Sequence, residues 1–123
     1  MSLQILAVDD SRTIRDMLSL TLNQAGFETQ LADDGVHGIE VLEAMSPSPD
    51  AIITDINMPR MDGFGFIEAV RKIEKYRTIP ILVLTTESAA DLKQRARDAG
   101  ATGWIVKPFE PKKLIRALQM VTG

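Results

Sequence analysis

Four short apolar runs in this chain each end in a group that can do chemistry. Residues 4–8 end in Asp9 and Asp10, residues 51–54 in Asp55, residues 81–84 in Thr85 and Thr86, and residues 104–106 in Lys107 followed by Pro108. Carboxylates brought close together repel one another unless a cation joins them. With no histidine or cysteine beside the acids, a hard, oxygen-seeking ion suits them better than zinc does, and magnesium (Mg2+) is the natural choice. It keeps several waters and is held by one or two carboxylates together with a phosphate oxygen. A single lysine opposite such an ion supplies a second positive charge, and a threonine hydroxyl supplies a hydrogen-bond donor. Together these are the parts of phosphoryl transfer, in which positioning and charge stabilisation carry the catalysis. A carboxylate can itself be the nucleophile and become an aspartyl phosphate. Taken singly, each residue has a plainer role: Asp9 or Asp10 as the cap of a following helix, Thr85 as a β-branched strand end, Lys107 as a solvated surface lysine. Their coincidence at four run ends favours the chemical role.

The elements that must position these groups follow a regular alternation. After the run at residues 4–8, apolar residues at Ile14, Met17, Leu18, Leu22 and Ala25 recur at helix spacing, with Ser11 as N-cap and Gly26 as the stop. Residues 27–31 read as a second strand and residues 36–45 as a second helix, with Val36, Ile39 and Leu42 inward, until Ser46-Pro47-Ser48-Pro49 breaks the chain. The third strand, residues 51–54, ends at Asp55. A loop carrying Pro59 follows, and Gly63 precedes a third helix with Phe66, Ile67, Val70 and Ile73 on one side. Pro80 opens the fourth strand. Ser88 can cap a fourth helix that runs to Ala99 and stops at Gly100. The fifth strand leads to a fifth helix opened by Pro111, with Leu114, Ile115, Leu118 and Val121 as its inner stripe. Strands one, three and four are almost wholly apolar, as strands covered on both faces must be. Five strand-then-helix units with right-handed crossovers predict an α/β fold: a doubly wound, five-stranded parallel sheet with helices on both faces. Ligands of such sheets bind beyond the carboxyl ends of the strands, the edge on which all the groups above fall.

Composition narrows the function classes. The 123 residues suit one domain, read as residues 1–123. Fourteen Lys and Arg against seventeen Asp and Glu give a net charge of −3, which argues against bulk electrostatic binding of nucleic acid. The absence of cysteine excludes disulfides, thiolate metal sites and cysteine nucleophiles. No signal peptide or membrane-length apolar run is legible, which places the expected protein in the cytoplasm without membrane insertion. The only histidine, His37, lies near the start of the second helix and far in sequence from the acids, so it reads as an ordinary surface residue.

Taken together, the stretches Val8-Asp9-Asp10-Ser11, Thr54-Asp55-Ile56-Asn57-Met58-Pro59-Arg60-Met61-Asp62-Gly63, Leu84-Thr85-Thr86 and Val106-Lys107-Pro108-Phe109 resemble the receiver domain of two-component response regulators, CheY-like single-domain chemotaxis regulators above all. The resemblance spans the chain. It implies the strand order 2-1-3-4-5, Asp55 as phosphoacceptor, and a magnesium site made by Asp10, by Asp9 largely through water, by Asp55 and by the backbone carbonyl of Asn57. It further implies Lys107 and Thr85 as phosphoryl-binding groups, a cis bond between Lys107 and Pro108, and Thr85 with Trp104 as the switch pair. Asn57 and Glu87 match the polar pair that accompanies fast self-dephosphorylation.

Two positions depart from the family's pattern. Trp104 stands where Tyr or Phe is usual and offers an N–H donor but no hydroxyl; it reads equally as a switch or as a space-filling residue. Thr86 is bulkier than the usual small residue and pulls against the lifetime implied by Asn57 and Glu87. The implied partners are a sensor histidine kinase of the CheA kind and a downstream protein such as a flagellar motor switch component, bound by the face of helix four, strand five and helix five. The expected protein is a monomeric signalling protein that catalyses its own phosphorylation and dephosphorylation, not an enzyme with a separate substrate. A phosphate sink or phosphorelay intermediate, and a receiver-like module that is never phosphorylated, are the alternatives. An aspartyl phosphatase would have a second Asp where this chain has Asn57. A flavin carrier would need a phosphate loop where this chain has Asp9 and Asp10.

Overall fold

Buried apolar runs and capped amphipathic helices alternate along the computed structural model, which describes residues 2–123. In chain order these are β1 (Gln4–Val8), α1 (Arg12–Gln24), β2 (Glu28–Ala32), α2 (Gly35–Ala44), β3 (Ala51–Thr54), α3 (Gly63–Lys72), a 3-10 turn (Glu74–Tyr76), β4 (Ile81–Thr85), α4 (Ala90–Ala99), β5 (Gly103–Val106) and α5 (Pro111–Thr122). All strand pairs are parallel and the sheet order is β2-β1-β3-β4-β5, the expected topology. Alternation along β1 shows why both faces are dry. Leu6 and Val8 pack with Leu42 of α2, Phe66, Ile67 and Val70 of α3 and Ala96 of α4, whereas Ile5 and Ala7 pack with Leu18 and Leu22 of α1 and Leu114 and Leu118 of α5. Each such fully buried aliphatic side chain contributes about 1.5–3 kcal/mol relative to exposure. The flanking strands β2 and β5 lack this two-sided cover, and their residues alternate or stay half-buried. Among the described residues no helix is long and apolar enough to cross a membrane.

The differences from the expected boundaries lie at caps. Phe27 is not in β2: its N–H bonds the Leu22 carbonyl, closing α1 around Gly26 at φ +91°, so the strand starts one residue later. Asp34 accepts from His37 N–H and starts α2 at Gly35, and Asp62 accepts from Gly65 N–H and makes Gly63 the first residue of α3, not the residue before it. The N-cap position of α4 is Ala89, with no side-chain bond; Ser88 is exposed and does not cap. Within α1, Ser11 caps as expected, but Met17 and Ala25 turn outward, Met17 with 46% exposure.

Candidate functional site

Register brings the chemical groups together. Val8 pairs with Thr54, so Asp9 and Asp55 leave adjacent strands side by side, and Thr85 pairs with Val106, so Lys107 emerges one residue beyond it. Backbone bonds fix each exit: Asp9 N–H to the Ala32 carbonyl (3.0 Å), Asp55 N–H to the Val8 carbonyl (2.9 Å) and Lys107 N–H to the Thr85 carbonyl (2.7 Å). The Lys107–Pro108 bond is cis, as expected, and Ser46–Pro47 is cis as well.

The lysine ammonium sits between two buried acids. Lys107 Nζ donates to Asp9 Oδ2 at 2.7 Å and to Asp55 Oδ2 at 2.9 Å. Asp55 Oδ1 accepts from Ile56 N–H (2.7 Å) and Asp9 Oδ1 from Ser11 N–H (2.9 Å). Carboxylate oxygens of Asp9, Asp10 and Asp55 all lie within 4.8 Å of one another, with Asp10 on the exposed side. Burial pushes the Asp9 carboxyl above its ordinary range, against the pull of the Lys107 and Ser11 hydrogen bonds. Burial disfavours the charged form of Lys107 too, but its bonds to Asp9 and Asp55 outweigh it and hold the ammonium above its ordinary value. Among the described residues no buried side-chain polar atom lacks a partner, so the site is short of positive charge, not of hydrogen bonds. Three carboxylates against one ammonium, with oxygen donors only, fit a hard divalent cation.

The hydroxyl and the aromatic lie on the β4 side. Thr85 is wholly buried, and its Oγ1 accepts only a long bond from Glu87 N–H (3.4 Å). Glu87 also takes Asn57 Nδ2 on Oε1 at 3.3 Å and Trp104 Nε1 on its carbonyl at 2.9 Å, so Trp104 is half-buried against the core with its N–H committed to the β4–α4 loop. Thr86 and Asn57 are exposed at the rim. His37 stays apart, within the first turn of α2 and beside Asp33 at 3.0 Å.

Sequence reasoning missed three arginines. Arg15 reaches back from α1 to the Asp9 carbonyl (2.8 Å). Arg71 binds the carbonyls of Gly100, Tyr76 and Arg77 and so ties α3 to the end of α4. Arg60, on the β3–α3 loop, forks onto Asp34 with Nε at 2.6 Å and Nη2 at 3.0 Å, holding that carboxyl below its ordinary range. Only Asp34 had a legible signal, as a capping residue before a helix.

The response regulator receiver domain model matches residues 5–119. The chain is 37% identical over 123 residues to chemotaxis protein CheY1 of Helicobacter pylori, covering 98% of each. Among solved structures it is similar to chemotaxis protein CheY4 of Vibrio cholerae, with a TM-score of 0.93 and 46% identity over 98% of this chain and 99% of that one. The receiver domain of sensor histidine kinase PA1611 from Pseudomonas aeruginosa, which has a magnesium ion coordinated in its active-site cleft, superposes with a TM-score of 0.91 at 28% identity, covering 100% and 99%.

Proposed function

The chain belongs to the response regulator receiver domain family and is homologous to the CheY chemotaxis regulators, and on that premise we propose that it accepts a phosphoryl group on Asp55 from a partner kinase's phosphohistidine. The observation that carries this reading is the Asp55 carboxylate at the end of β3, buried, pinned by Ile56 N–H and met by the Lys107 ammonium at 2.9 Å. One Asp55 oxygen forms the new O–P bond as the donor's N–P bond breaks, and the electron pair of that bond returns to the imidazole nitrogen. Lys107 is placed to offset negative charge on the transferred group. Asp10 and Asp55, with the Asn57 carbonyl, would hold magnesium directly. Asp9, bonded to Lys107 and Ser11 N–H, would act largely through water, as the family resemblance implies. Magnesium, when bound, supplies positive charge for the phosphoryl oxygens.

Thr85 is the hydroxyl free to answer. Its 3.4 Å bond is weak, and turning toward a phosphorylated Asp55 releases Glu87 N–H and with it the loop that Trp104 holds. The surface that changes is then α4, β5 and α5, where a hollow of about 70 Å3 is lined by Lys93, Arg97 and Trp104 beside the partly exposed Val106. It suits a downstream protein partner such as a motor switch component. Asn57 and Glu87, in contact at 3.3 Å, would govern loss of the phosphoryl group, the role that the family resemblance implies for this pair. On this reading the protein is a switch that catalyses its own modification.

The test is incubation with phosphoramidate, with and without magnesium, followed by prompt intact-mass measurement of the wild type and Asp55→Asn. A single added phosphoryl group that needs both magnesium and Asp55 is expected. A folded, magnesium-saturated sample that takes no label overturns the reading.

A further inference from the structure

Arg60 is the one non-glycine residue with a left-handed backbone among those described, at φ +64°. Such a conformation is unfavourable for a side chain with a Cβ and persists where the surroundings impose it. Two contacts hold it here: Met61 N–H bonds the Pro59 carbonyl across Arg60 (2.7 Å), and the guanidinium forks onto Asp34, a carboxylate 5% exposed that also caps α2 through His37 N–H. Next to it, Gly35 N–H bonds the Met61 carbonyl (3.1 Å), and a Cβ on Gly35 would lie 2.6 Å from that oxygen, so loop and helix meet backbone to backbone. The loop from Ile56 to Gly63 is closed at its base by Gly63 N–H to the Ile56 carbonyl (2.8 Å). Its crown is anchored by the Arg60 fork and the Met61 bond, and between base and crown lies Asn57. The Arg60 side chain is 56% exposed, so the pair adds little to global stability. What it fixes is the path of the loop.

We infer that Arg60 is a positioning residue: by pinning the loop crown to Asp34 it sets where Asn57 stands relative to Asp55, and so sets the affinity of the acidic corner for a divalent cation. The inference rests on the cation reading above. Its sign separates it from plain electrostatics. Removing a positive charge from the chain by itself favours cation binding, whereas losing a positioning contact weakens it.

The experiment is Mn2+ binding to the full chain, read from the free-ion signal by electron paramagnetic resonance, for wild type, Arg60→Gly, Arg60→Lys and Asp34→Asn. Glycine accepts φ +64° without strain, lysine keeps the charge but not the planar fork, and asparagine keeps the α2 cap. Arg60→Gly is expected to bind Mn2+ about tenfold more weakly, the low end of what losing a ligand's supporting contact costs a metal site. Its thermal midpoint should be unchanged or higher, and Arg60→Lys and Asp34→Asn should weaken binding in the same direction. Arg60→Gly binding Mn2+ as tightly as the wild type, or more tightly, overturns the positioning role while leaving the site intact. A wild type that takes up no Mn2+ removes the cation site itself and the positioning role with it.

Discussion

The loops that follow β3 and β4 leave the same sheet edge one strand apart and are held in opposite ways. The β3–α3 loop is bonded at its base through Gly63, capped into its helix by Asp62, and tied at its crown to α2 by Arg60 and Met61. The β4–α4 loop enters a helix with no side-chain cap and a single buried residue, Ala96. It is held by the Trp104 N–H, a 3.3 Å contact from Asn57 and a 3.4 Å bond to Thr85. A site that must present a nucleophile in one orientation needs the first kind of loop, and a surface that must exist in two forms needs the second. The two share Glu87, whose side chain touches one loop while its backbone belongs to the other.

The contrast can be broken most severely at the rigid side. Lys107→Ala leaves Asp9 and Asp55 buried without their ammonium and should cost about 3 kcal/mol in urea unfolding at neutral pH. Gly63→Ala puts a Cβ into the Asp55 carbonyl oxygen and should cost about 2–3 kcal/mol as the loop base is forced apart. Asp34→Ala removes the α2 cap together with the Arg60 fork and should cost about 1–2 kcal/mol. That loss has a pH signature. The Asp34 carboxyl is held low in the folded chain, first by its bond to Arg60, so its contribution is complete above the unfolded carboxylate value of about 3.9 and fades as pH falls through the folded value. The gap between wild type and Asp34→Ala should therefore narrow on the acid side and stay constant above about pH 5.

Smaller effects are expected at the loose side. Trp104→Phe removes the donor to the Glu87 carbonyl and should cost about 1 kcal/mol or less, because the freed carbonyl finds water, while hydrogen exchange across residues 86–89 quickens. Ala89→Ser supplies the missing α4 cap and should stabilise by about 0.5–1 kcal/mol while slowing that exchange. If Ala89→Ser leaves exchange at residues 86–89 untouched, the looseness of the loop does not come from its uncapped helix.

What was legible in the sequence follows from the same physics. Strands β1, β3 and β4 must be apolar on both faces, so their ends, and the residues just past them, could be located within a residue. Because Asp9, Asp55 and Thr85 occupy those ends, and Lys107 the end of β5 beside β4, parallel register alone brings them together. Boundaries drifted where a polar side chain or a backbone bond decides the end of an element, as at Phe27, Asp34 and Asp62. Ser88 misled because it is a good capping residue one position too early. The Arg60–Asp34 fork was invisible because it joins two loops 26 residues apart through an arginine in a backbone conformation that arginine disfavours. Arg71 was hidden for a similar reason: its partners are main-chain carbonyls, which carry no residue identity.

The central claim is that acceptance of a phosphoryl group by the rigid loop is felt in the loose one, and hydrogen exchange of the chain with and without phosphoramidate and magnesium tests it most directly, with Trp104 emission followed in the same samples. The expected result is altered exchange across residues 85–90 and a shifted Trp104 emission, with residues 55–63 as protected as before and no change in Asp55→Asn. Stoichiometric phosphorylation that leaves residues 85–90 and Trp104 unaltered would contradict the claim.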